Sequence, residues 1–348
     1  MNKIDILSLS QSELCEKLVE IGEKKFRAKQ IYEWLHKKRV TEFSQMSNLS
    51  AQLRALLDEK FCIKELKVIR KLESCIDNTV KYLYELSDSN CIETVLMEYN
   101  HGNSLCISTQ VGCKMGCNFC ASTIAGFKRN LTTSEILLQL YATEQESGKK
   151  ISSIVLMGIG EPLDNYENVI KFLEILSSEE GTNMSLRHVS LSTCGLVDKI
   201  NDLAEKRYGL TLSISLHATE NSIRSEIMPV NNKYNIQELI QACRNYIDKT
   251  GRRISFEYAV IDGVNDTKLQ AQKLATLIKG MICHVNLIPV NKIKERDYKS
   301  SRKSAELFQK YLTDLGVNAT IRRTLGADIE AACGQLRREH ENNSEGVI

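Results

Sequence analysis

The stretch CISTQVGCKMGCNFCAST, Cys106–Thr123, contains four cysteines. Three of them, Cys113, Cys117 and Cys120, have C-x3-C-x2-C spacing immediately after a β-type run. Thiolates at this spacing can each bind one iron of a [4Fe–4S] cluster, and the interspersed glycines give the backbone room to wrap around it. A ferredoxin would add a fourth thiolate at C-x2-C-x2-C spacing, and a structural zinc site would add a second C-x2-C or a His pair. Neither pattern is present, so the motif predicts a cluster whose fourth iron is open to a ligand that is not protein.

On the C-terminal side of this stretch, β-type runs alternate with helical patterns. The β-type runs are LCISTQV (105–111), ISSIVLMG (151–158), HVSLST (188–193), LTLSISL (210–216), ISFEYAVI (254–261), CHVNLIPV (283–290) and NATIRRT (318–324). The alternation predicts an α/β fold with a parallel sheet. Six or seven strands could close most of a barrel or form an open doubly wound sheet, and periodicity alone leaves both open.

The N-terminal side of the stretch has two other patterns. Residues 1 to about 60 predict short helices, with a capping box at Ser10–Glu13, an amphipathic segment over Phe26–Lys38 and a third helix near 50–61. VKYLYEL and CIETVLMEY then flank the polar SDSN, which predicts a β-hairpin between Thr79 and Tyr99. The chain therefore begins with a helical module that a hairpin joins to the βα region.

Composition limits the class of protein. The chain has 348 residues, 12 cysteines and a formal net charge of +2, and it shows neither a signal peptide nor an apolar run of membrane-spanning length. We expect a folded cytoplasmic protein, in which clustered thiols are metal ligands or reactive groups rather than a disulfide framework. The small net charge does not decide whether the partner is a nucleic acid.

Polar or Gly-rich turns follow several of the predicted parallel strands. They are MGIGEP (157–162), LSTCG (191–195), SLHA (215–218) and IPVN (288–291). Because the carboxyl ends of parallel strands share one edge, these turns are expected to meet the cluster loop there. The candidate cofactor-binding residues in them are Gly160, Glu161, Ser192, Ser215, Leu216, His217 and Asn291. Each turn also has an ordinary interpretation: a common glycine turn, a capping Ser or Asn, or a structural histidine.

The cluster stretch resembles the core motif of the radical S-adenosylmethionine (AdoMet) enzymes. With MGIGEPL, ISLHA, LIPVN and the later RRTLGADIEAACGQL (322–336) in the same order, nearly the whole chain is similar to the RlmN family of RNA methyltransferases. The resemblance implies a partial (β/α)6 barrel, a [4Fe–4S] cluster on three cysteines and two AdoMet molecules per turnover. It also implies methylation at C2 of adenine 2503 in 23S rRNA and of adenine 37 in tRNA.

The same resemblance assigns three catalytic residues. Cys333 carries the methyl group, Cys106 takes the sulfur off the enzyme–RNA adduct as a disulfide, and Glu93 removes the C2 proton. Judged by sequence alone, both cysteines could be ordinary packing residues, and Glu93 could be a surface carboxylate on a strand. The other cysteines, including Cys194, carry no motif and are interpreted as packing residues.

The resemblance also shapes the expected domains and partners. We expect a helical RNA-binding domain at 1–70, a hairpin extension at 71–98, a radical SAM core at 99–336 and a polar tail at 337–348. The partners expected are 23S rRNA, tRNA and an electron donor such as a flavodoxin, with no membrane association and a monomeric enzyme. Candidate RNA-contacting patches are the basic stretches 24–39 and 292–303, together with Arg322 and Arg323. A solvated helix face would have the same charge pattern.

Two alternatives remain open at this point. The first is the Cfr-type activity, which methylates C8 of the same adenine with the same cluster and methyl-carrying cysteine. The second is a non-catalytic iron–sulfur or zinc protein, which would need a fourth protein ligand and would leave Cys333 unmodified.

Overall fold

The computed structural model describes residues 3–289, 300–329 and 336–337. The N-terminal module contains the elements β1 Ile4–Asp5, α1 Gln11–Glu20, α2 Phe26–His36, α3 Ala51–Lys60 and β2 Phe61–Cys62. The predicted capping box of α1 is present, because Ser10 accepts from the Glu13 amide and Glu13 accepts from the Ser10 amide. The bounds of α1, α2 and α3 confirm the three helices predicted for the module.

Most of the remaining strands form one sheet. The strands after the module are β3 Lys67–Glu73, β4 Val80–Glu85, β5 Cys91–Tyr99, β6 Gly102–Cys106, β7 Gln110–Gly112, β8 Phe127–Asn130, β9 Ile151–Leu156, β10 Val189–Thr193, β11 Thr211–Ser215, β12 Ile254–Val260, β13 Cys283–Pro289 and β14 Ala319–Ile321. Within the described residues the main sheet has ten strands in the order β14-β13-β12-β11-β10-β9-β6-β5-β4-β3. Strands β6 and β9–β14 pair in parallel, and β3–β6 pair antiparallel.

Helices connect the parallel strands. They are α4 Thr133–Ser147, α5 Tyr166–Ser177, α6 Val197–Lys206, α7 Asn221–Ile227, α8 Ile236–Thr250, α9 Lys268–Leu277 and α10 Arg302–Asp314. The neighbouring parallel strands follow one another along the chain, without the reversal of order that marks a doubly wound sheet. This sequential order is the winding of a (β/α) barrel. Cys106 on the first parallel strand and Arg322 just after the last border the same cavity, so the sheet curves around it as a partial barrel.

The hairpin prediction is confirmed, whereas the predicted strand 105–111 is wrong in its extent. β4 and β5 pair antiparallel across the SDSN turn. The run LCISTQV is divided: β6 ends at Cys106, and β7 pairs with β8 in a separate ribbon. The break occurs at Ser108, whose amide donates to Gln139 Oε1 (2.8 Å) and whose hydroxyl donates to the Glu93 carbonyl (2.7 Å). These buried bonds replace ladder bonds, so an apolar run that predicts one strand turns at its centre.

The module packs against the outside of the barrel through α4. Its apolar residues, including Leu14, Ile31 and Leu35, belong to the same continuous core as the βα region. His36 Nδ1 lies 3.0 Å from the Tyr141 hydroxyl on α4, and Arg39 pairs with Glu144. None of the helices in the described ranges is long and apolar enough to cross a membrane.

Candidate active site

A cavity of about 390 Å³ lies at the carboxyl ends of the parallel strands. Its lining includes all three motif cysteines and most of the predicted rim residues. The predicted residues that line it are Cys106, Cys113, Cys117, Cys120, Gly160, Glu161, Ser192, Ser215, His217, Arg322 and Arg323. The fold therefore brings together residues that are more than two hundred positions apart in the chain.

The three motif cysteines lie on one loop between β7 and β8. The loop is tied internally, since the Cys120 amide donates to the Cys117 carbonyl (3.1 Å) and Thr123 Oγ1 donates to the Cys120 carbonyl (2.9 Å). Burial raises the pKa of the Cys113 thiol to about 12, and it also raises the pKa of Cys117. Such thiols stay protonated at neutral pH until a metal displaces the proton.

The loop fits a four-iron cluster better than a single metal ion. Within the described residues, no three His, Cys, Asp or Glu side chains converge as ligands of one ion. In a [4Fe–4S] cluster each thiolate binds a different iron, so the sulfurs border a cavity instead of meeting at a point. The backbone supports this use, because Gly112 has a φ of +79° and a Cβ there would collide with the Gly126 carbonyl. The loop can therefore hold the cluster, with Cys113, Cys117 and Cys120 as ligands.

The turn after β9 brings its backbone to the cavity. Gly160 has a φ of +109°, and a Cβ on it would lie 2.6 Å from the Gln110 side chain and 2.8 Å from the Gln110 amide nitrogen. The Glu161 carboxylate accepts from the amides of Cys194 (2.7 Å) and Leu163 (3.0 Å), and burial raises its pKa. The Glu161 carboxylate is thus occupied in joining the turn after β9 to the turn after β10. The groups that the turn after β9 can offer to a ligand are therefore mainly backbone atoms.

Ser192 and Ser215 line the cavity and do not cap the helices that follow them. The N-cap residue of α6 is Leu196 and that of α7 is Glu220. The capping interpretation of these two serines is therefore wrong, and their hydroxyls remain as hydrogen-bonding groups at the cavity wall. Leu216 differs from its neighbours, because its side chain is fully buried and only its backbone is engaged, donating to the Glu257 carbonyl (3.1 Å).

His217 is a buried, neutral histidine at the cavity. Its ring Nδ1 accepts from the Ala259 amide (2.9 Å), which leaves Nε2 as the protonated donor. Burial, with a smaller contribution from Arg224, lowers its pKa to about 3. His217 has a φ of +56°, and its carbonyl accepts from the Asn265 side chain (2.7 Å). The ring edge meets Phe119 of the cluster loop at a centroid distance of 4.8 Å, so His217 is a fixed donor next to that loop.

A second group of polar residues lies on the antiparallel part of the sheet. Cys106 is opposite Val95 on β5, and Val95 is opposite Lys81 on β4, so their side chains leave the same face. Glu93, two residues before Val95, shares that face. Lys81 Nζ lies 3.0 Å from Glu93 Oε2, with side-chain exposures of 0% and 1%. We call the surface carrying Lys81, Glu93 and Cys106 the thiol face, and the cluster loop with turns 157–162, 192–195 and 215–217 the cluster rim.

Leu325, Leu336 and Arg337 of the C-terminal segment lie against the thiol face or the strands that carry it. Leu325 packs in the apolar cluster that contains Cys106. Leu336 packs in a second apolar cluster on the neighbouring strands, and the Arg337 amide donates to Glu93 Oε1 (2.7 Å). On one side of the motif EAACGQ the chain thus packs against the apolar cluster of Cys106, and on the other side it hydrogen-bonds to Glu93, the two thiol-face residues to which the family resemblance gives catalytic roles.

Some predicted site residues fall outside the described ranges. They are Cys333, Asn291 and most of the basic stretch 292–303.

The structure also adds residues to the site that sequence reasoning missed. Glu257 on β12 lines the cavity, its carboxylate accepts from Ser255 (2.8 Å) and Asn286 (2.7 Å), and burial raises its pKa. A single acid within the apolar run ISFEYAVI was a usable signal for it. Lys81 gave no such signal, because alternating polar residues in a hairpin normally face solvent.

A curved parallel sheet with a three-cysteine loop and polar rim defines a radical SAM enzyme, whose cofactors are a [4Fe–4S] cluster and AdoMet. Residues 107–273 match the Radical SAM superfamily, and residues 4–63 match the ribosomal RNA large subunit methyltransferase N-terminal domain. A radical SAM methyltransferase from Sphaerobacter thermophilus superposes with a TM-score of 0.90 at 40% identity, covering 95% of this chain and 98% of that one.

Curated relatives narrow the class to a family. A protein of Lachnoclostridium phytofermentans named probable dual-specificity RNA methyltransferase RlmN is 53% identical over 98% of this chain and 96% of its own length. A Clostridium perfringens protein of the same name is 54% identical, covering 97% of each chain. The chain belongs to the RlmN family of RNA methyltransferases.

Proposed function

We propose that this enzyme methylates C2 of adenine 2503 in 23S rRNA and of adenine 37 in tRNA, using Cys333 as the methyl carrier. The observation that carries the proposal is the position of Cys106. It borders the same cavity as the cluster cysteines and as 322–325, which lead toward Cys333. A redox thiol and a radical-generating site that share one cavity fit methyl transfer through a protein sulfur.

The chemistry of the substrate explains why such an arrangement is needed. C2 of adenine lies between two ring nitrogens and is too electron-poor to attack a sulfonium methyl directly. The cluster rim would hold the cluster and AdoMet, which together would supply a 5′-deoxyadenosyl radical that takes a hydrogen atom from the Cys333 S-methyl group. We propose that Ser192, Ser215 and His217 bind AdoMet through hydrogen bonds, together with the backbones of Gly160 and Glu161 and, on the family motif alone, Leu216 and Asn291.

The thiol face then completes the transfer. Once the Cys333 S-methylene group has added to C2, the radical adduct would return one electron to the oxidised cluster, and Glu93 would accept the C2 proton. The Cys106 thiolate attacks the Cys333 sulfur, so that an S–S bond forms and the C–S bond breaks. The methylene carbon keeps the electron pair of that bond, takes up a proton and stays on the base as a methyl group. Lys81 holds the Glu93 carboxylate in a buried ion pair, which fixes the position of the proposed base.

The N-terminal module offers a surface for RNA. Lys29 pairs with Glu180 and Arg39 with Glu144, so part of the basic stretch 24–39 is bound to acids of the core. The exposed Lys38 lies over the Trp34 ring, 3.4 Å from its centroid, and Arg27 lies over the exposed Phe26 ring at 5.0 Å. Cations paired with aromatic rings are suited to phosphates and unstacked bases, so we propose this face, 24–38, as an RNA-binding surface.

The remaining partners follow from the reaction. We propose a cytoplasmic, monomeric enzyme that is reduced by a one-electron donor such as a flavodoxin. A thiol reductant must reopen the Cys106–Cys333 disulfide after each turnover.

Product analysis tests the proposal. Reconstituted enzyme is incubated with AdoMet, a reductant and a 23S rRNA fragment or tRNA, and the digested nucleosides are separated by liquid chromatography and mass spectrometry. We expect 2-methyladenosine from both RNAs and none with Cys117→Ala. The Cfr-type product 8-methyladenosine would overturn the assignment of C2, and AdoMet cleavage without any RNA product would overturn the assignment of the substrate.

A further inference from the structure

Arg224, on α7, is a charged side chain with 0% exposure. Its guanidinium donates to the carbonyls of Cys194 (2.7 Å), Leu216 (3.0 Å) and Ser215 (3.2 Å), and to Asn231 Oδ1 (3.1 Å). The three carbonyls belong to the turns after β10 and β11, which form part of the cluster rim. Arg224 therefore connects two rim turns to each other through hydrogen bonds to their backbone carbonyls.

All of these acceptors are neutral, which is unusual for a buried cation. No ion pair of Arg224 with a carboxylate occurs within the described residues, whereas Lys114, on the cluster loop itself, is paired with Asp164 at 2.9 Å. A buried charge is costly unless an opposite charge lies close by. Glu161 bonds to the Cys194 amide, but it does not pair with the guanidinium. We therefore expect the compensating negative charge to come from a ligand that the cavity binds.

The helix that carries Arg224 packs directly on the cluster loop. The Asn118 amide donates to the Ile227 carbonyl (2.9 Å) at the end of α7, and Ile227 and Met228 form an apolar cluster with Cys117 and Phe119. Cys194, whose carbonyl accepts from the guanidinium, belongs to the same apolar cluster as Cys117, so the charge lies beside the residues that surround a cluster ligand.

We infer that Arg224 is the buried counter-charge of the iron–sulfur cluster and raises its reduction potential. Three thiolates give the cluster a net negative charge, and accepting one electron from the external donor makes that charge more negative by one. A fixed cation stabilises the reduced form more than the oxidised form, and low-dielectric surroundings strengthen this difference. The inference depends on the radical SAM site but not on which RNA or which adenine carbon is methylated.

The test is a spectroscopic redox titration of the reconstituted holoenzyme, with iron and sulfide content measured for every variant. Arg224→Gln is expected to lower the equilibrium constant for one-electron reduction at least tenfold, a fall of about 59 mV. Arg224→Lys, which keeps the charge but loses the planar fork, is expected to change it less than threefold. Arg244→Gln is the matched control, because Arg244 also donates to backbone carbonyls, at Leu277 and Lys279, and should leave the potential unchanged.

A second variant keeps the test decisive if Arg224→Gln fails to hold a cluster. Asn231→Asp places a carboxylate against the guanidinium without removing it, so it cancels the charge while the arginine remains. We expect it to lower the potential in the same direction as Arg224→Gln. An unchanged potential in cluster-loaded Arg224→Gln or Asn231→Asp would overturn the inference. An equal fall in Arg224→Lys and Arg224→Gln would also overturn it, since it would show that bracing of the turns matters and charge does not.

Discussion

The cluster rim and the thiol face meet at one cavity, which the thiol face reaches through Cys106, but the two are built in different ways. The rim consists of short contiguous motifs, namely the cluster loop between β7 and β8 and three turns that each follow one parallel strand. The thiol face is assembled from β4, β5 and β6 and is met by residues of the C-terminal segment, with an ion pair buried between side chains. The rim can therefore be recognised locally in the sequence, whereas the thiol face exists only once the strand register is formed.

The largest effect is expected from removing a cluster ligand, compared with removing another thiol of the rim. Cys117→Ala should lose the cluster and reduce methylation to background, because a four-iron cluster with one open iron needs all three thiolates. Cys194→Ala is the matched control, since Cys194 lines the same cavity outside the motif. It should retain iron, sulfide and 5′-deoxyadenosine formation. A full cluster in Cys117→Ala would show that the ligand assignment is wrong.

The buried ion pair of the thiol face should contribute strongly to stability. Lys81→Met leaves the Glu93 carboxylate buried without its cation, so we expect a loss of about 3–5 kcal/mol in the free energy of unfolding. Lys71→Met on β3 is the control, because Lys71 pairs with Glu73 at the surface and its loss should cost less than about 1 kcal/mol. Denaturant titration measures both. Equal losses in the two variants would contradict the distinction between a buried and a surface pair.

The rim should be sensitive to backbone substitution. Gly160→Ala combines an unfavourable positive φ with a clash against Gln110, and we expect a strain of about 1–3 kcal/mol. Calorimetry should show a weaker affinity for AdoMet. Each 1.4 kcal/mol of strain that persists in the AdoMet complex corresponds to a roughly tenfold higher dissociation constant. Gly263→Ala has a φ of +75° with no atom within 4 Å of the new Cβ, so it should leave AdoMet affinity unchanged. Unaltered AdoMet binding by Gly160→Ala would exclude this turn from the cofactor site.

The smallest effect concerns the interface of the module with the barrel. Burial lowers the pKa of His36 to about 3, so the unfolded state, with a pKa near 6.5, binds its proton first as the pH falls. The free energy of unfolding therefore decreases as the pH falls from 6.5 toward 3, by up to about 1.4 kcal/mol per pH unit. Denaturation between pH 7.5 and 5.5 should show a shallower pH dependence for His36→Gln than for the parent enzyme. The exposed His188 is the control, and equal slopes for His36→Gln and His188→Gln would refute the assignment.

The contrast between the two regions also explains what could be predicted from sequence. The three-cysteine loop, the rim turns and the alternation of strands with helices were predictable because each depends on local spacing or periodicity. The order of the parallel strands was not, since periodicity allowed both a barrel and a doubly wound sheet. The break at Ser108 was not, because it depends on Gln139 of α4 and the Glu93 carbonyl, which only the tertiary fold brings near. Lys81 and Arg224 were missed for the same reason, since their roles come from burial that the hairpin and helix patterns do not reveal.

The most direct test of the central claim is to identify the residue that carries the methyl group. Cys106→Ala, incubated with AdoMet, reductant and a 23S rRNA fragment, should accumulate a covalent enzyme–RNA adduct because the resolving thiol is absent. After nuclease and protease digestion, mass spectrometry should show an adenosine joined through one added carbon to the peptide that contains Cys333. Release of free 2-methyladenosine by this variant, or attachment of the nucleotide to another residue, would contradict the account.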